Sequence, residues 1–352
     1  MSLAELSLLA PRCVQMRQHL RHDRLEDDGP DLIAFLLVPD FPMFSFSAAI
    51  EPLRIANWIS GRPLYEWKVL SKDGRPVPAS NGCMVTPGSA LHPVEAYALV
   101  LVCAGVGGCH YHDRQVFAWL RRLARSGARL GAICTAAYIL ARAGLLAGHR
   151  STIHWEDLDS FRSEFPELDI SDALYEMDES RMTCSGGAAA MDMMLELIAG
   201  RHGPLLAGEI AEQFMTYHPR NGSDRQRMSL DQRTGIRDRR LLNAIAAMES
   251  RLEDPLELRA ICVASDLSPR HLQRLCLEQL GETPSDFYRA LRLKHARNLL
   301  LHGSESILDV ATACGFVSAS HFSRRYRQLF GTTPSDDRRR QRTGAFERAM
   351  RG

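Results

Sequence analysis

The sequence LSPRHLQRLCLEQLGETPSD at Leu267–Asp286 returns 50 residues later as VSASHFSRRYRQLFGTTPSD at Val317–Asp336. The two stretches share eight identical residues in 20 aligned positions without a gap. The shared residues are a serine, a histidine, an arginine, a glycine and a closing Thr-Pro-Ser-Asp. A solenoid needs three or more copies, and the sequence contains only two. The duplication therefore indicates two small related units in series.

Each copy is typical of a helix, a turn and a second helix. Ser268 and Ser318 stand where a helix N-cap is expected, and Gly281 and Gly331 stand where a helix ends. Pro269 fits the first helical position, because the missing N–H of proline costs nothing there. Apolar residues then recur at helical spacing. The residues predicted to face inward are Leu272, Leu275, Cys276 and Leu280 in the first copy and Phe322, Tyr326, Leu329 and Phe330 in the second.

The outer faces of both second helices carry arginine at the same place. A charged outer face on a single amphipathic helix is usually just solvated, but Arg274 and Arg324 recur beside the same capped start. In a DNA major groove arginine can pair with guanine through two hydrogen bonds, and glutamine, here Gln273, with adenine. A long connecting helix is predicted over 285–302. Two such units could read half-sites about 10 bp apart on one face of DNA.

With these motifs, residues 237–340 resemble the DNA-binding domain of the AraC/XylS family. The similarity is carried by LSPRHLQR at 267–274, GFVSASHFSR at 315–324 and FGTTPS at 330–335. It implies an all-α domain whose two helix-turn-helix units bind double-stranded DNA in the major groove. By the same resemblance, the base-reading residues are Arg270, Gln273 and Arg274 in the first unit and Ala319, Ser320, His321 and Arg324 in the second. Ala319 can contact only a thymine methyl group, which weakens base-specific reading by the second helix.

The charge of the chain is unevenly distributed. Its 352 residues suffice for two domains at ~150 residues per domain. The formal net charge is +1, but residues 221–352 have a basic excess of 7 and residues 1–220 an acidic excess of 6. This split fits a nucleic-acid-binding module attached to another domain. The predicted organisation is a disordered tail at 1–30, a first domain at 31–220, a linker at 221–236, the DNA-binding domain at 237–340 and a basic tail at 341–352.

The composition argues against metal and membrane sites. The nine cysteines form no Cys-x-x-Cys pair and show no spacing typical of a zinc site. We therefore expect no metal and no cofactor. The longest apolar stretch, at 98–106, is too short to span a membrane, and the first 30 residues lack a signal-peptide pattern. We therefore expect a cytoplasmic protein without a membrane partner.

From residue 31 onward, short apolar runs alternate with helical stretches. This alternation is typical of a parallel α/β sheet. The predicted strands are 32–38, 66–71, 98–103, 129–133 and 181–183. The predicted helices are 47–59, 114–126, 135–143, 155–165 and 188–201.

One strand runs directly into a helix through Ala-Ile-Cys-Thr-Ala at 132–136. A small-x-Cys-x-small sequence is the arrangement of a nucleophile elbow with cysteine in place of serine. We expect Cys134 to project from a tight turn, and the helix N-terminus to lower the pKa of its thiol. The alternative is a purely structural elbow. His154, further along the chain, is either brought near this thiol or is an ordinary hydrogen-bonded core histidine.

Several aromatic residues of this part have two interpretations. They could be core residues, the commoner case, or they could form a box for a cationic ligand, because quaternary ammonium groups bind aromatic faces. The residues concerned are Phe41, Phe44, Phe46, Trp58 and Trp155.

Residues 30–220 resemble the PfpI-like, class I glutamine amidotransferase-like domain that precedes the DNA-binding domain in some AraC-family regulators. The matching motifs are GAICTA at 131–136, AGLLAG at 143–148, TIHW at 152–155 and CSGG at 184–187. The resemblance implies a flavodoxin-like α/β sensor domain with a parallel sheet. Glu51 falls where PfpI-like proteins carry an acidic residue near the elbow cysteine. The implied ligand-binding residues are Glu51, Cys134, Thr135, His154 and Trp155.

The two resemblances together predict a ligand-responsive transcription factor that is not an enzyme. They imply an activator of catabolic genes that responds to a small nitrogenous metabolite, such as an amino acid, a betaine or carnitine. We expect a homodimer, with RNA polymerase as a further candidate partner. One alternative is a Cys-dependent hydrolase or amidotransferase-like enzyme tethered to DNA; against it, PfpI-type peptidases have histidine where this chain has Thr135. Another is a constitutive architectural DNA binder.

Overall fold

The first domain is built around a six-stranded sheet. The computed structural model describes residues 29–91, 96–303 and 305–340. The strands are β1 (Asp31–Leu37), β2 (Tyr65–Leu70), β3 (Val77–Pro78), β4 (Met84–Val85), β5 (Leu99–Ala104), β6 (Arg129–Cys134), β7 (Tyr175–Met177) and β8 (Arg181–Cys184). The sheet order is β2-β1-β5-β6-β8-β7, and only the edge strand β7 is antiparallel to its neighbour. Strands β3 and β4 form a separate hairpin.

Helices cover both faces of this sheet. They are α1 (Met43–Ser60), α2 (Arg114–Arg125), α3 (Ala137–Arg142), α4 (Leu158–Glu164), α5 (Ala189–His202) and α6 (Pro204–Gln213). Helices α1, α5 and α6 enclose one apolar core, and α2, α3 and α4 enclose a second core on the other face. Because the central strands β1 and β5 lie between two cores, they read as continuous apolar runs, as parallel strands do.

The predicted strands of this domain are confirmed to within one residue at each end. Strand β7 and the hairpin are too short for periodicity to reveal them. The helix predicted over 155–165 begins only at Leu158. The helix predicted over 135–143 likewise begins at Ala137.

The C-terminal part is entirely helical. Its helices are α7 (Leu230–Thr234), α8 (Arg239–Glu249), α9 (Leu258–Ser265), α10 (Pro269–Leu280), α11 (Pro284–His302), α12 (Ile307–Ala313) and α13 (Ala319–Phe330). Helices α8, α9 and α10 share one core, and α12 and α13 share a second. The long helix α11 contributes Tyr288 to the first core and Leu293 to the second. The structure therefore contains two helix-turn-helix units, α9–α10 and α12–α13, joined by one continuous helix.

The repeated serines cap the second helix of each unit. The hydroxyl of Ser268 accepts a hydrogen bond from the backbone N–H of His271 at 3.3 Å. The hydroxyl of Ser318 accepts the equivalent bond from His321 at 3.4 Å. These contacts satisfy N–H groups that a helix start leaves without a partner, and they confirm the predicted N-caps.

The repeated Thr-Pro-Ser-Asp is also a helix start. Thr283 accepts a hydrogen bond from the backbone N–H of Asp286 at 3.2 Å, and its hydroxyl donates to the Asp286 carboxylate at 2.7 Å. Thr333 and Asp336 repeat both contacts, at 3.1 and 2.7 Å. Half of the repeat identities are therefore explained by capping chemistry alone.

The inward-facing residues of α13 are predicted correctly with one exception. Phe322 and Tyr326 are buried, and Phe330 packs on the same core. Leu329, predicted to face inward, is 43% exposed. The buried stripe runs from Phe322 in steps of four residues, and this spacing turns Leu329 towards solvent.

The predicted tails fall largely outside the described residues. Of the tail predicted for 1–30 only the last two residues are described, and of the tail predicted for 341–352 none is. Among the helices of the described residues, none has the length and apolar character needed to cross a bilayer.

Candidate functional site

Cys134 ends strand β6 in a strained turn. Its φ angle is +62°, a left-handed conformation that costs a non-glycine residue roughly 1–2 kcal/mol. The turn is possible because Gly186 leaves room for the cysteine. A Cβ atom on Gly186 would lie 2.8 Å from the Cβ and 3.2 Å from the Sγ of Cys134. The predicted tight elbow is therefore present.

Thr135 fixes the elbow to the loop after β5. Its buried hydroxyl donates a hydrogen bond to the backbone oxygen of Gly105. A Cβ atom on Gly108 would overlap the same hydroxyl. The side chain of Thr135 is therefore engaged inside the protein, and its predicted contact with a ligand remains untested.

The thiol of Cys134 is not activated. Burial raises its pKa well above the usual value, and the neighbouring Asp157 and Cys184 raise it further, whereas a hydrogen bond from the backbone of Thr135 lowers it only in part. The expectation that a helix N-terminus lowers this pKa is therefore wrong. Helix α3 begins only at Ala137 and spans six residues, so its dipole is weak compared with the cost of burying a thiolate.

We expect Cys134 to react with iodoacetamide at pH 7.5 at least ~10-fold more slowly than Cys83, because only the thiolate is nucleophilic. Cys83 is an exposed free thiol of the same chain and provides the internal control. The measurement is the time course of alkylation of each peptide by mass spectrometry. Faster reaction at Cys134 than at Cys83 would show an activated thiol and would contradict this assignment.

The residues after His154 lie close enough to the thiol of Cys134 to act on its charge. His154 is partly exposed, and its Nδ1 accepts a hydrogen bond from the backbone N–H of Glu156 at 3.4 Å. Asp157 is buried, and both Asp157 and Glu156 raise the pKa of Cys134. Two carboxylates therefore act on the thiol at this edge of the sheet. Sequence analysis missed them, although they directly follow the His-Trp pair that it identified.

Glu51 lies on the surface of α1. Its carboxylate accepts hydrogen bonds from Arg54, with the Nε atom at 2.8 Å and Nη2 at 2.7 Å. Among the described residues, its recorded side-chain contacts are with Arg54 and not with Cys134. Asp157 and Glu156 are acidic groups that act on the elbow cysteine, and a ligand-binding role of Glu51 stays a prediction.

The five aromatic residues do not form one box. Phe41 and Phe46 belong to the core, with ring centroids 5.7 Å apart, whereas Phe44 and Trp58 are exposed on α1. Trp155 is 38% exposed and presents a ring face near the two carboxylates. The guanidinium carbon of Arg227, a residue of the predicted linker, lies 4.7 Å from the centroid of this ring. A cation therefore already occupies a face of the Trp155 ring.

The start of the predicted linker is fastened to the first domain. Arg220 forms an ion pair with the buried carboxylate of Asp192 at 2.7 Å. The side-chain amide of Gln226 donates to the hydroxyl of Thr152 at 3.0 Å and lies within hydrogen-bond distance of two backbone oxygens of the same region. Sequence composition gave no sign of this, because a polar segment with an Asn-Gly turn looks the same whether docked or free.

The outer face of α10 presents the predicted base-reading residues to solvent. Arg270, Gln273 and Arg274 are exposed. The Nη1 atom of Arg274 lies 2.9 Å from both carboxylate oxygens of Glu278, four residues on. An exposed pair of this kind contributes only ~0–1 kcal/mol, so Arg274 remains available to another acceptor.

The outer face of α13 presents a second set. Ala319, Ser320 and Arg324 are exposed, and His321 is partly covered. Burial lowers the pKa of His321, and the positive charges of Arg324 and Arg325 lower it further, which favours a neutral imidazole at pH 7. This face therefore offers the fixed cations of Arg324 and Arg327 and several neutral hydrogen-bonding groups.

Helix α11 sets the spacing and orientation of the two faces. Its 19 residues extend about 28 Å, close to the ~34 Å between successive turns of a major groove. Arg292 of α11 donates to the backbone oxygen of Gly315 at 3.0 Å and stacks on the ring of Phe316 at 4.7 Å. These contacts anchor the turn of the second unit to the connecting helix.

No metal site is present among the described residues, which contain no group of three or more His, Cys, Asp or Glu side chains able to hold an ion. The candidate site therefore consists of two solvent-exposed polar faces, on α10 and α13, and of a group of residues at the end of β6, where Asp157 and Glu156 act on the thiol of Cys134.

Both domains of the chain are similar to known protein families. Residues 35–200 match the DJ-1/PfpI family, and residues 261–340 match the family described as a helix-turn-helix domain. The chain is 44% identical over 319 residues to the HTH-type transcriptional regulator GbdR of Pseudomonas aeruginosa, covering 91% of this chain and 87% of the relative. It is 44% identical over 304 residues to the regulator CdhR of the same organism, covering 86% and 90%.

A solved structure is similar to about half of the chain. It is described as an AraC family transcriptional regulator from Pseudomonas putida, and it covers 53% of this chain and 100% of its own, with 26% identity and a TM-score of 0.46.

Proposed function

We propose that this chain, which belongs to the AraC-family transcriptional regulators with an N-terminal DJ-1/PfpI domain, activates its target genes in response to a small nitrogenous metabolite. Its relatives along most of its length are regulators of transcription, so it is a DNA-binding regulator and not an enzyme. The protonated state favoured for Cys134 agrees with this. The observation that carries DNA binding is the pair of capped, solvent-facing helices, α10 and α13, on one connecting helix.

We propose that each recognition helix enters the major groove of double-stranded DNA. Arg270, Gln273 and Arg274 would contact bases in the first half-site. Ala319, Ser320, His321 and Arg324 would do so in the second. What supports this is their exposure on α10 and α13, beside helix starts fixed by the serine caps.

Arg274→Ala and Arg324→Ala should each weaken binding to the operator by ~1–3 kcal/mol, because a bidentate pair with guanine is lost. Glu278→Ala is the matched control: it frees Arg274 and removes a negative charge from the interface, so binding should be at least as tight as in the wild type. Fluorescence anisotropy on operators with single base changes measures this. Equal losses on operator and on random DNA would mean that these arginines contact phosphates, against the proposal.

We propose that the effector is a small cation or zwitterion held beside Cys134, His154 and Trp155. The carboxylates of Asp157 and Glu156 supply negative charge there, and the Trp155 ring supplies a face for a cationic group. A ligand of this kind regulates DNA binding only if it binds one arrangement of the protein more tightly than another. Amino acids, betaines and carnitine have the required charge.

The test is a thermal-shift screen of these nitrogenous metabolites on the full chain, because a ligand that binds the folded state raises its melting temperature with concentration. Cys134→Ser should retain at least part of the shift. Cys134→Trp should abolish it by filling the pocket and should leave operator affinity intact. Conversion of a metabolite by the wild type, without conversion by Cys134→Ser, would overturn the regulatory proposal in favour of the tethered enzyme. Operator binding that no metabolite changes would favour a constitutive binder.

We further propose that the regulator acts as a homodimer and contacts RNA polymerase. Leu205, Met215 and Tyr217 form exposed apolar surface around helix α6, and such surface suits a second copy of the chain. Light scattering of the wild type and of Leu205→Glu tests the dimer, which the charged variant should weaken.

A further inference from the structure

The segment 225–227, which we call the latch, lies against the pocket face of the first domain. Gln226 is its anchor. Its Nε2 atom lies 3.0 Å from the hydroxyl of Thr152, 2.8 Å from the backbone oxygen of Ile153 and 2.9 Å from that of Ala173. The segment 152–153 leads directly into His154 and Trp155. The latch is therefore fastened to the irregular segment that directly precedes His154 and Trp155.

Arg227 is held mainly by the Trp155 ring. Its guanidinium carbon lies 4.7 Å from the ring centroid, and no carboxylate of the described residues forms an ion pair with it. Burial and the charge of Arg233 lower the pKa of Arg227. The carboxylates of Glu249 and Glu156 raise this pKa, but by a smaller amount. A cation held by an aromatic face without an ion pair can be replaced by another cation on the same face.

Beyond the latch, the chain already belongs to the DNA-binding domain. Arg233 of α7 pairs with Glu249 of α8 at 3.0 Å, and Ile236 is buried in the first helical core. Between the latch and α7 stand only Met228 and Ser229. Two residues extend at most about 7 Å, so a docked latch keeps the helical domain close to the pocket.

Elsewhere in the described residues, the two domains are joined by polar side-chain contacts. Asn298 of α11 donates to the backbone oxygen of Glu156, and His295 lies 3.6 Å from the carboxylate of Asp159. A cleft of about 740 Å³ separates neighbouring parts of the same boundary. Such a boundary resists relative motion weakly, and the latch is therefore a principal restraint.

We propose that Arg227 occupies the effector's cation position on Trp155, so that effector binding displaces the latch and releases the DNA-binding domain from the sensor domain. This inference rests on the proposed function, whose pocket it shares. Displacement would lengthen the free tether to residues 225–229, about 17 Å when extended. The latch and the effector exclude each other. Removal of the latch contact should therefore raise the affinity for the effector by the same factor by which effector binding weakens the latch contact. For an exposed cation–π contact this factor is about two- to fivefold.

The experiment is hydrogen–deuterium exchange of the full chain with tetramethylammonium chloride as the probe, at concentrations matched by sodium chloride. In the wild type, tetramethylammonium should slow exchange in residues 151–157 and speed it at least about twofold in residues 221–229. Arg227→Ala and Gln226→Ala should exchange fast in 221–229 without the probe. Arg225→Ala is the matched control, because this neighbouring arginine is exposed and should behave as the wild type.

Two outcomes would overturn the inference, and they are distinguishable. If tetramethylammonium protects 151–157 without exposing 221–229, the cation pocket stands and the latch is not displaced. If neither segment responds, cation exchange on Trp155 is wrong, and the proposed regulator is then judged by the metabolite screen alone. Arg227→Ala with exchange as slow as in the wild type would also contradict the latch.

Discussion

Gly315→Ala should reduce the stability of the second helix-turn-helix unit by about 2–4 kcal/mol and operator affinity by at least tenfold. Gly315 has a φ angle of +70°. A Cβ atom there would overlap the ring of Pro255 and lie 2.9 Å from the backbone oxygen of Glu253. Both neighbours belong to the loop before the first unit, so the methyl group would push the two units apart. The spacing between the recognition faces would change with it.

Gly331→Ala is the matched control for this prediction. Gly331 has nearly the same φ angle, +72°, but a Cβ atom there would have nothing within 4 Å. The variant should lose only about 1 kcal/mol of unfolding free energy, because alanine is strained in the left-handed conformation, and it should retain operator binding. Urea unfolding and fluorescence anisotropy measure the two effects. Equal losses in both variants would mean that the contact with Pro255 does not fix the spacing.

Asp337→Ala should destabilise the same unit by about 2–4 kcal/mol, because it removes the common acceptor of a buried donor, Tyr326, and a partly exposed one, Arg297. Asp337 is buried, and its Oδ2 atom accepts hydrogen bonds from the hydroxyl of Tyr326 at 2.8 Å and from Nε of Arg297 at 2.9 Å. Arg297 belongs to α11 and Tyr326 to α13, so this carboxylate joins the recognition helix to the connecting helix. Because Arg297 is partly exposed, the expected loss of stability is smaller than for a fully buried ion pair.

Asp336→Ala is the control, because it removes the neighbouring carboxylate and keeps the contacts of Asp337 with Tyr326 and Arg297. Asp336 accepts a hydrogen bond from the capping hydroxyl of Thr333 and is partly exposed, so its loss should cost only about 0.5–1 kcal/mol. Hydrogen exchange in α13 during urea unfolding separates the two variants. A smaller loss for Asp337→Ala than for Asp336→Ala would show that the network with Tyr326 and Arg297 does not hold α13 in place.

The repeat could be interpreted from the sequence because its residues form contacts with neighbours only a few positions away. Ser268, Ser318, Gly281 and Gly331 start or end helices through contacts within a few residues, and local chemistry of this kind is visible in a single sequence. The central strands of the first domain could also be predicted from the sequence, because burial on both faces leaves an uninterrupted apolar run. Leu329 shows the limit: an apolar residue at the end of a helix lies inside or outside according to packing that its neighbours in sequence do not determine.

The pocket was harder to predict, because its residues meet through the fold. Cys134 and Trp155 were identified, but the effect of Asp157 on the thiol depends on how the chain returns to the sheet edge after Trp155. The helix-dipole argument for Cys134 failed for the same reason, since sequence does not reveal how deeply a side chain is buried. The docking of Gln226 and Arg227 was invisible, because their partners are backbone oxygens and a ring face more than 50 residues away.

The central claim is that one chain reads two segments of one DNA face. Selection of bound duplexes from a random pool by the full chain, followed by sequencing, tests it most directly. We expect the enriched sequences to share two conserved blocks whose centres lie about 10 bp apart, one for each recognition helix. Arg324→Ala should relax one block and leave the other unchanged. Enrichment of a single block, or of no sequence at all, would contradict the account.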